Sequence, residues 1–220
     1  MKAKKKVVSV IIGYNQDRGW LNEAVESVKN AQIYDKKLIE VELIVVHGKN
    51  NNIAENLNIG IQAAKGQYIK YLSEDDLLTP NCIEDSLNAF TNDIDFIHGN
   101  SINFHKNGKM ELYKPRHTVF DLKSFLQVLQ TKTNFIHGGT LMFRKSFFTK
   151  VGLFDTTLKC AEEHELVLRG LSMGMKIGYS NKTLYKYRRH DKQKSLGKGV
   201  DQAERMRIVK EIHTKFRLLC

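Results

Sequence analysis

Three adjacent carboxylates, Glu74, Asp75 and Asp76, follow Ser73 in this 220-residue chain. Neighbouring carboxylates repel one another unless a cation or a satisfied hydrogen-bond network compensates, and a divalent metal is their natural partner. The competing reading is a solvated loop whose acids favour the start of the next helix. A second acidic block, Glu162-Glu163-His164-Glu165, stands where helical periodicity begins, and alone it is an acidic first turn favoured by the helix dipole. Three cysteines, Cys82, Cys160 and Cys220, lie far apart with no CxxC spacing, so neither a zinc site nor a disulfide framework is written here, and a reducing cytoplasm fits. The formal charge of +11 favours anionic partners, whether nucleic acid, acidic lipid headgroups or a phosphorylated substrate.

The elements around these residues alternate. Val7–Ile12 is a β-branched run suited to a strand buried on both faces, and Leu21, Ala24, Val25 and Val28 follow at helical spacing. Glu42–Val46 repeats the strand signature, and Ala54, Leu57, Ile61 and Ala64 form a second helix face, with Gly66 expected as its C-terminal cap. Tyr68–Leu72 is a third strand, and Thr79 and Pro80 read as N-cap and first residue of the following helix. The acids 74–76 thus fall between a strand end and a helix start, where a parallel sheet presents its ligands. Further on, Asp95–His98 reads as a strand, Ser101–His105 and Lys109–Tyr113 flank the hairpin signal Asn107-Gly108, and Asp121 precedes an amphipathic helix through Leu122, Phe125, Leu126 and Leu129. Thr140–Phe143 reads as a short strand and Glu162–Met173 as a helix stopped by Gly174. Lys176–Tyr179 and Leu184–Tyr187 read as two short strands, and 202–219 as a basic helix. The apolar run after MKAKKK is too short for a signal-peptide core or a membrane span, so neither is expected.

The stretch from Val8 to Pro80, with VSVIIGYN, ELIVV and LNIGIQAAKGQYIKYLSEDDLLTP, resembles the N-terminal half of the family 2 glycosyltransferases. Later blocks resemble that family in the same order: GGTLMFRKSFFTKVGLFD, AEEHELVLRG and YKYRRHDKQKS. The resemblance covers about residues 7–195. It implies an α/β chain with the GT-A fold, a mostly parallel central sheet with helices on both faces. One domain is expected, with a nucleotide-binding half at 7–100, an acceptor and catalytic half at 101–195 and a basic helix at 196–220.

The resemblance also implies roles. Gly13, Tyr14 and Asn15, after the first strand, would hold the nucleotide, with Tyr14 against the base; Tyr14 as a plain core aromatic is the alternative. Asp75 would bind the metal that bridges two phosphates, Glu74 would reach the ribose hydroxyls, and Asp76 would be a further candidate beside the metal. Ser73 stands where the family's D-x-D pattern has its first acid. Glu163 matches the catalytic base of the E-D-x-E-L block, with a methylene more than the usual aspartate, and Glu162 is the alternative. His190 would complete the metal shell while Arg188, Arg189, Lys192 and Lys194 balance phosphate charge. Gly138 and Gly139 would let a sugar approach the backbone, or are an ordinary turn. His47 stands where the family commonly has an aspartate that reads the base. An imidazole accepts from a pyrimidine N–H in one tautomer only, so this departure leaves donors with other bases open, while the resemblance implies a UDP-sugar.

The expected reaction is inverting transfer from a nucleotide diphosphate sugar to an acceptor hydroxyl, with Mn2+ or Mg2+, on a glycan or lipid-linked acceptor. Expected surroundings are cytoplasmic; the basic residues Lys198, Arg205, Arg207, Lys210, Lys215 and Arg217 suggest contact with an anionic membrane or form a solvated helix face. No nucleic-acid partner is expected, because Gly/aromatic RNA-binding signatures are lacking. Two rivals remain. A sugar-phosphate nucleotidyltransferase would carry a Gly-rich, Arg-containing loop after the first strand, where this chain has GYNQDRGW. A nucleotide-sugar-binding module with weakened catalysis would show departures such as Ser73, His47 and Glu163.

Overall fold

The structure, a computed structural model, describes residues 5–34, 36–48, 50, 52–115, 118, 121–129, 136–191, 193 and 202–217. The elements in chain order are β1 (Lys6–Tyr14), α1 (Leu21–Lys29), β2 (Ile39–His47), α2 (Ile53–Ala63), β3 (Tyr68–Ser73), β4 (Leu77–Leu78), α3 (Cys82–Asn88), β5 (Phe96–His105), β6 (Met110–Tyr113) and α4 (Leu122–Leu129). A 3-10 turn at Gly138–Thr140 then leads into β7 (Met142–Arg144), α5 (Lys145–Val151), α6 (Glu162–Ser172), β8 (Ile177–Arg189) and α7 (Gln202–Arg217).

One sheet runs in the order β2-β1-β3-β7-β5-β8-β4, with β6 paired to β5. The long ladders β1–β2, β1–β3 and β5–β8 are parallel, and β7, β4 and β6 pair antiparallel to their neighbours. The strands β2, β1, β3, β5 and β8 therefore all point one way. Their carboxyl ends, at His47, Tyr14, Ser73, His105 and Arg189, share one rim. Ligands of open α/β sheets bind at that rim.

Alternation along the strands divides the core. Ile11, Ile69, Phe96 and Phe143 pack on one face with α2, α4, α5, α6 and α7, while Val10, Ile12, Leu72, Ile97 and Met142 pack on the other with α1 and α3. Burial on both faces is why β1 reads as an apolar run interrupted only by the buried Ser9.

Several expectations need correction. Asp95–His98 and Ser101–His105 belong to one strand, and the pairs expected at Lys176–Tyr179 and Leu184–Tyr187 are one thirteen-residue strand, β8. The polar insert between them is a bulge, where the β5–β8 register shifts around Gly99, Asn100 and Ser101. Gly66 does not cap α2, which ends at Ala64 in extended backbone. Its role is close approach, because a Cβ there would stand 2.5 Å from the Ser9 hydroxyl and 2.7 Å from the Ser9 amide. Thr79 does not cap α3, whose N-cap is Asn81; its hydroxyl donates to the Thr183 carbonyl at 2.6 Å. The segment expected as strand from Thr140 holds the end of the 3-10 turn before β7 begins. Asp121 does cap α4, accepting from the Ser124 amide at 2.8 Å, and the hairpin turns at Gly108 with φ +82. Among the described residues, no helix is long and apolar enough to cross a membrane.

Candidate active site

The acidic segment sits at the rim because β3 ends at Ser73 and β4, only two residues long, returns antiparallel to β8 through Leu77↔Lys186 and Leu78↔Tyr185. The three acids then face three environments. Asp76 is buried, and its two oxygens accept from the Tyr185 hydroxyl at 2.6 Å and the Arg188 amide at 2.7 Å. Burial first, then the Asp75 charge, push its pKa well above the usual carboxylate range. Asp76 is therefore a tie between the acidic turn and β8, next to Asp75 and with both oxygens taken by protein. Glu74 is also buried and accepts from the Arg18 guanidinium at 2.6 Å. Burial and Asp75 push its pKa up against the pull of Arg18. Asp75 points its Oδ2 at the His190 Nε2, 3.0 Å away, with Arg18 at 3.8 Å. An acid and an imidazole expected to share a metal thus meet across the rim.

The segment Arg188-Arg189-His190 is held in place by its surroundings. Gln193 accepts from the His190 amide and donates to the Arg188 carbonyl. The His190 ring lies 4.6 Å from Trp20. Arg188 is engaged by protein: its guanidinium donates to the Asp75 carbonyl at 2.8 Å, pairs with Glu23 at 2.8 Å, and stacks over Phe104 and Trp20 at 4.6 and 5.3 Å. The phosphate role expected of Arg188 is corrected to that of a strut. Arg189 lies over the Tyr187 ring at 5.5 Å. Lys192, Lys194 and Lys198 lie outside the described residues.

At the ends of β1 and β2, Tyr14 and His47 are register partners and their rings stack, centroids 4.7 Å apart and planes 17° from parallel. The His47 Nε2 lies 3.2 Å from the Asn15 carbonyl oxygen. A carbonyl only accepts, so in the neutral ring this contact favours the tautomer with the proton on Nε2 and Nδ1 as acceptor. Asn56, buried on α2, donates to the Tyr14 carbonyl at 3.2 Å and to the Asn15 side chain at 2.9 Å, locking this loop. A Cβ on Gly48 would collide with the Asn56 amide. Gly13 lets β1 approach α2, since a Cβ there would meet Ile53 and Asn56 at 3.1 and 3.2 Å.

Across the rim, α6 begins after Ala161, which has φ +63, a left-handed conformation that costs a non-glycine residue strain. Its three acids diverge. Glu165 turns inward to a two-bond ion pair with Arg169 at 2.9 and 2.8 Å, and Glu162 is buried. Glu163 lies against Gly138, whose absent Cβ would stand 2.7 Å from the carboxylate. Gly139 is covered by the Tyr185 ring, which fills the place of its side chain. The space given up by both glycines is taken by protein side chains, which corrects the expectation that a sugar would use it. The Tyr71 hydroxyl donates to the Gly138 carbonyl at 2.7 Å, and burial followed by the charges of Glu163 and Glu162 pushes its pKa well up. His137 accepts from the Gly139 amide, and burial, Lys70 and Arg189 hold its pKa down to about 4.

Residues 26–152 match the profile of the family described as Glycosyl transferase family 2, more than half of the chain. The chain belongs to that family. Relatives include uncharacterized glycosyltransferases of Rickettsia typhi, 28% identical over 213 residues and covering 85% of this chain and 65% of that protein, and of Rickettsia bellii, 28% identical over 212 residues, 86% of this chain and 31% of that protein. The chain thus spans between about a third and two thirds of these relatives. In shape it is similar to Staphylococcus aureus TarS 1-349 in complex with UDP-GlcNAc, with TM-score 0.65 and 15% identity over 84% of this chain and 59% of that one. The same protein in complex with UDP gives 0.63 and 15% over 83% and 60%. The fold is accordingly the GT-A fold expected from the sequence.

The family 2 profile ends at residue 152, before Glu163 and His190. For those two residues the structure adds position: His190 meets Asp75 on the rim, and Glu163 lies against Gly138. Family 2 resemblance did not point to Arg18, Trp20, Asn56, Lys70, Tyr71 or Tyr185. A polar Asn56 beside the apolar stripe of α2, and a lysine inside the apolar strand β3, were the available signals.

Proposed function

We propose that this chain is an inverting glycosyltransferase that moves a sugar from a nucleoside diphosphate to an acceptor hydroxyl, assisted by Mn2+ or Mg2+. The observation that carries the reading is the meeting of Asp75 and His190 at 3.0 Å on the rim that also holds the stacked Tyr14 and His47. Among the described residues, no group of three or more His, Cys, Asp or Glu side chains is gathered to hold a metal ion unaided. A carboxylate oxygen with an imidazole nitrogen suits Mn2+ or Mg2+ if diphosphate oxygens and water fill the other positions, so the donor set fits. When bound, such a cation supplies charge to stabilise the departing diphosphate.

The chain's own residues do the rest. Glu163 takes the proton from the acceptor hydroxyl as that oxygen attacks the anomeric carbon. Arg189 puts positive charge beside the leaving group, while Arg18 holds Glu74 at the edge of the site. Tyr14 gives the base an aromatic face. His47, in the tautomer with Nδ1 as acceptor, suits the N3–H of uracil, where cytosine presents an acceptor instead.

The test is calorimetry of UDP, CDP and GDP with Mn2+ present, followed by donor turnover. UDP is expected to bind at least about fivefold more tightly than CDP, one hydrogen bond being worth roughly 1 kcal/mol or more. Equal affinity for all three would remove His47 from base reading. No binding of any would remove the nucleotide-sugar reading itself.

A further inference from the structure

Lys70 is the one lysine in the β3 sequence YIKYLS and is fully buried. A buried ammonium is costly unless its protons are used. Its Nζ donates to the carbonyls of Gly139 and of Leu141, the latter at 3.1 Å, and it lies 5.5 Å from the Tyr185 ring centre and 6.0 Å from that of Tyr71. The next residue, Tyr71, holds the Gly138 carbonyl. Two successive side chains of one strand, pointing to opposite faces, thus grip three carbonyls of the 138–141 turn. That turn is where Glu163 is seated, against Gly138. The same Tyr185 that covers Gly139 also donates to Asp76, next to Asp75.

We propose that Lys70 is a positioning residue: by clamping the Gly139 and Leu141 carbonyls it fixes the turn against which Glu163 rests, and so holds the base in register with the Asp75–His190 end of the site. The proposal takes the chemistry of Glu163 from the function proposed above. A lysine serving packing alone would be replaced by an apolar side chain of equal length at little cost or with gain, because burial of a charge is unfavourable. A lysine that positions the turn would lose catalysis on that replacement with nucleotide binding kept. Burial holds its pKa down to about 8, so the clamp weakens as pH rises through that value. The titratable groups facing it are Tyr71 on its own strand, Tyr185 of β8 with Asp76 behind it, Cys82 of α3, and His137 before the turn.

Lys70→Met keeps the length and removes the donors; Lys70→Gln restores part of the donor capacity. For Lys70→Met, kcat is expected to fall about 100-fold, the cost of a misplacement of about 1 Å, with the donor KM within about threefold of wild type. Lys70→Gln should recover part of the loss. The alkaline limb of the wild-type kcat profile, with its midpoint at about pH 8, should vanish in Lys70→Met. Unchanged kcat, or kcat and KM that change together with the folded fraction, would overturn the proposal. Amide hydrogen exchange on the same proteins reads the turn directly: residues 137–141 and 161–165 should exchange at least about tenfold faster in Lys70→Met, with the rest unaltered. If wild type transfers no sugar from any donor, the function proposed above falls, and exchange alone decides Lys70: faster exchange confined to those segments supports it, unchanged exchange overturns it.

Discussion

Asp75 and His190 meet across 115 residues of sequence, and nothing between them in the chain requires it. Asp75→Ala should therefore abolish Mn2+-dependent nucleotide binding while leaving the melting temperature near wild type, since Asp75 lies at the partly open rim. Calorimetry with and without Mn2+ checks this; unchanged metal-dependent affinity would take Asp75 out of the site. Glu163→Gln keeps size and hydrogen bonding but cannot accept a proton. Its kcat should drop by about two to four orders of magnitude with donor affinity held, and Glu162→Gln should be milder. Were the two to exchange behaviour, the buried Glu162 would be the base. Individual identities were legible to this depth because the motif spacing fixes which residue stands where. The partners of Asp76 and of the paired glycines were not legible, since a sequence does not say whether a carboxylate's oxygens are already taken by Tyr185 and Arg188, or which side chain fills the space above a glycine.

Among the elements, β1 and β3 could be read almost whole, because burial on both faces writes a largely apolar run, whereas of β2, a half-exposed strand at the sheet edge, only Glu42–Val46 was read. The long strand β8 could not be read whole. Its bulge places polar Asn181 and Lys182 in the middle of a strand, and alternation breaks there. The helix α5 was missed altogether, being short and starting directly at the end of β7. On β5, His98 shows what a buried titratable group does to an element. It is wholly enclosed, its Nε2 donates to the Thr118 carbonyl at 2.8 Å, and burial pulls its pKa down to about 4. The unfolded chain takes up that proton near pH 6.5 and the folded one only near 4, so this contribution is intact above about 6.5 and is lost as pH falls through the interval. His137 and His164 shift the same way. Stability from urea titrations should be greater at pH 7 than at about pH 4.5 by at least roughly 2 kcal/mol, the three imidazoles outweighing the opposite contribution of the raised Asp76 and Glu74 carboxyls. A midpoint indifferent to pH across that range would mean these imidazoles are solvated.

At the scale of the whole molecule, the sheet gathers chemistry on one rim, and α7 adds a basic surface elsewhere. Ile208, Ile212 and Phe216 bury its inner face, leaving Arg207, Lys210, Lys215 and Arg217 exposed. If that surface meets an anionic membrane presenting a lipid-linked acceptor, each basic residue contributes about 1 kcal/mol and the attraction weakens steeply with salt. Co-sedimentation should then recover the protein with anionic vesicles at low salt and lose it at high salt. Equal recovery with neutral vesicles would assign the charge to solubility.

The uniform direction of the five long strands leaves the opposite edge of the sheet without chemical duties. There the chain turns at 64–67, 89–95 and 173–176, each turn leading into the start of a parallel strand. Gly174, with φ +76 and open space around it, lies at one such turn. Growth is therefore polarised. A reporter spliced into Asn92 or beside Gly174 should be carried without loss of turnover, whereas an insertion of the same length after Tyr14, His47 or Ser73 would pull apart residues that must stay within hydrogen-bond reach. Under the function proposed above, one pole would take insertions and the other would hold the donor.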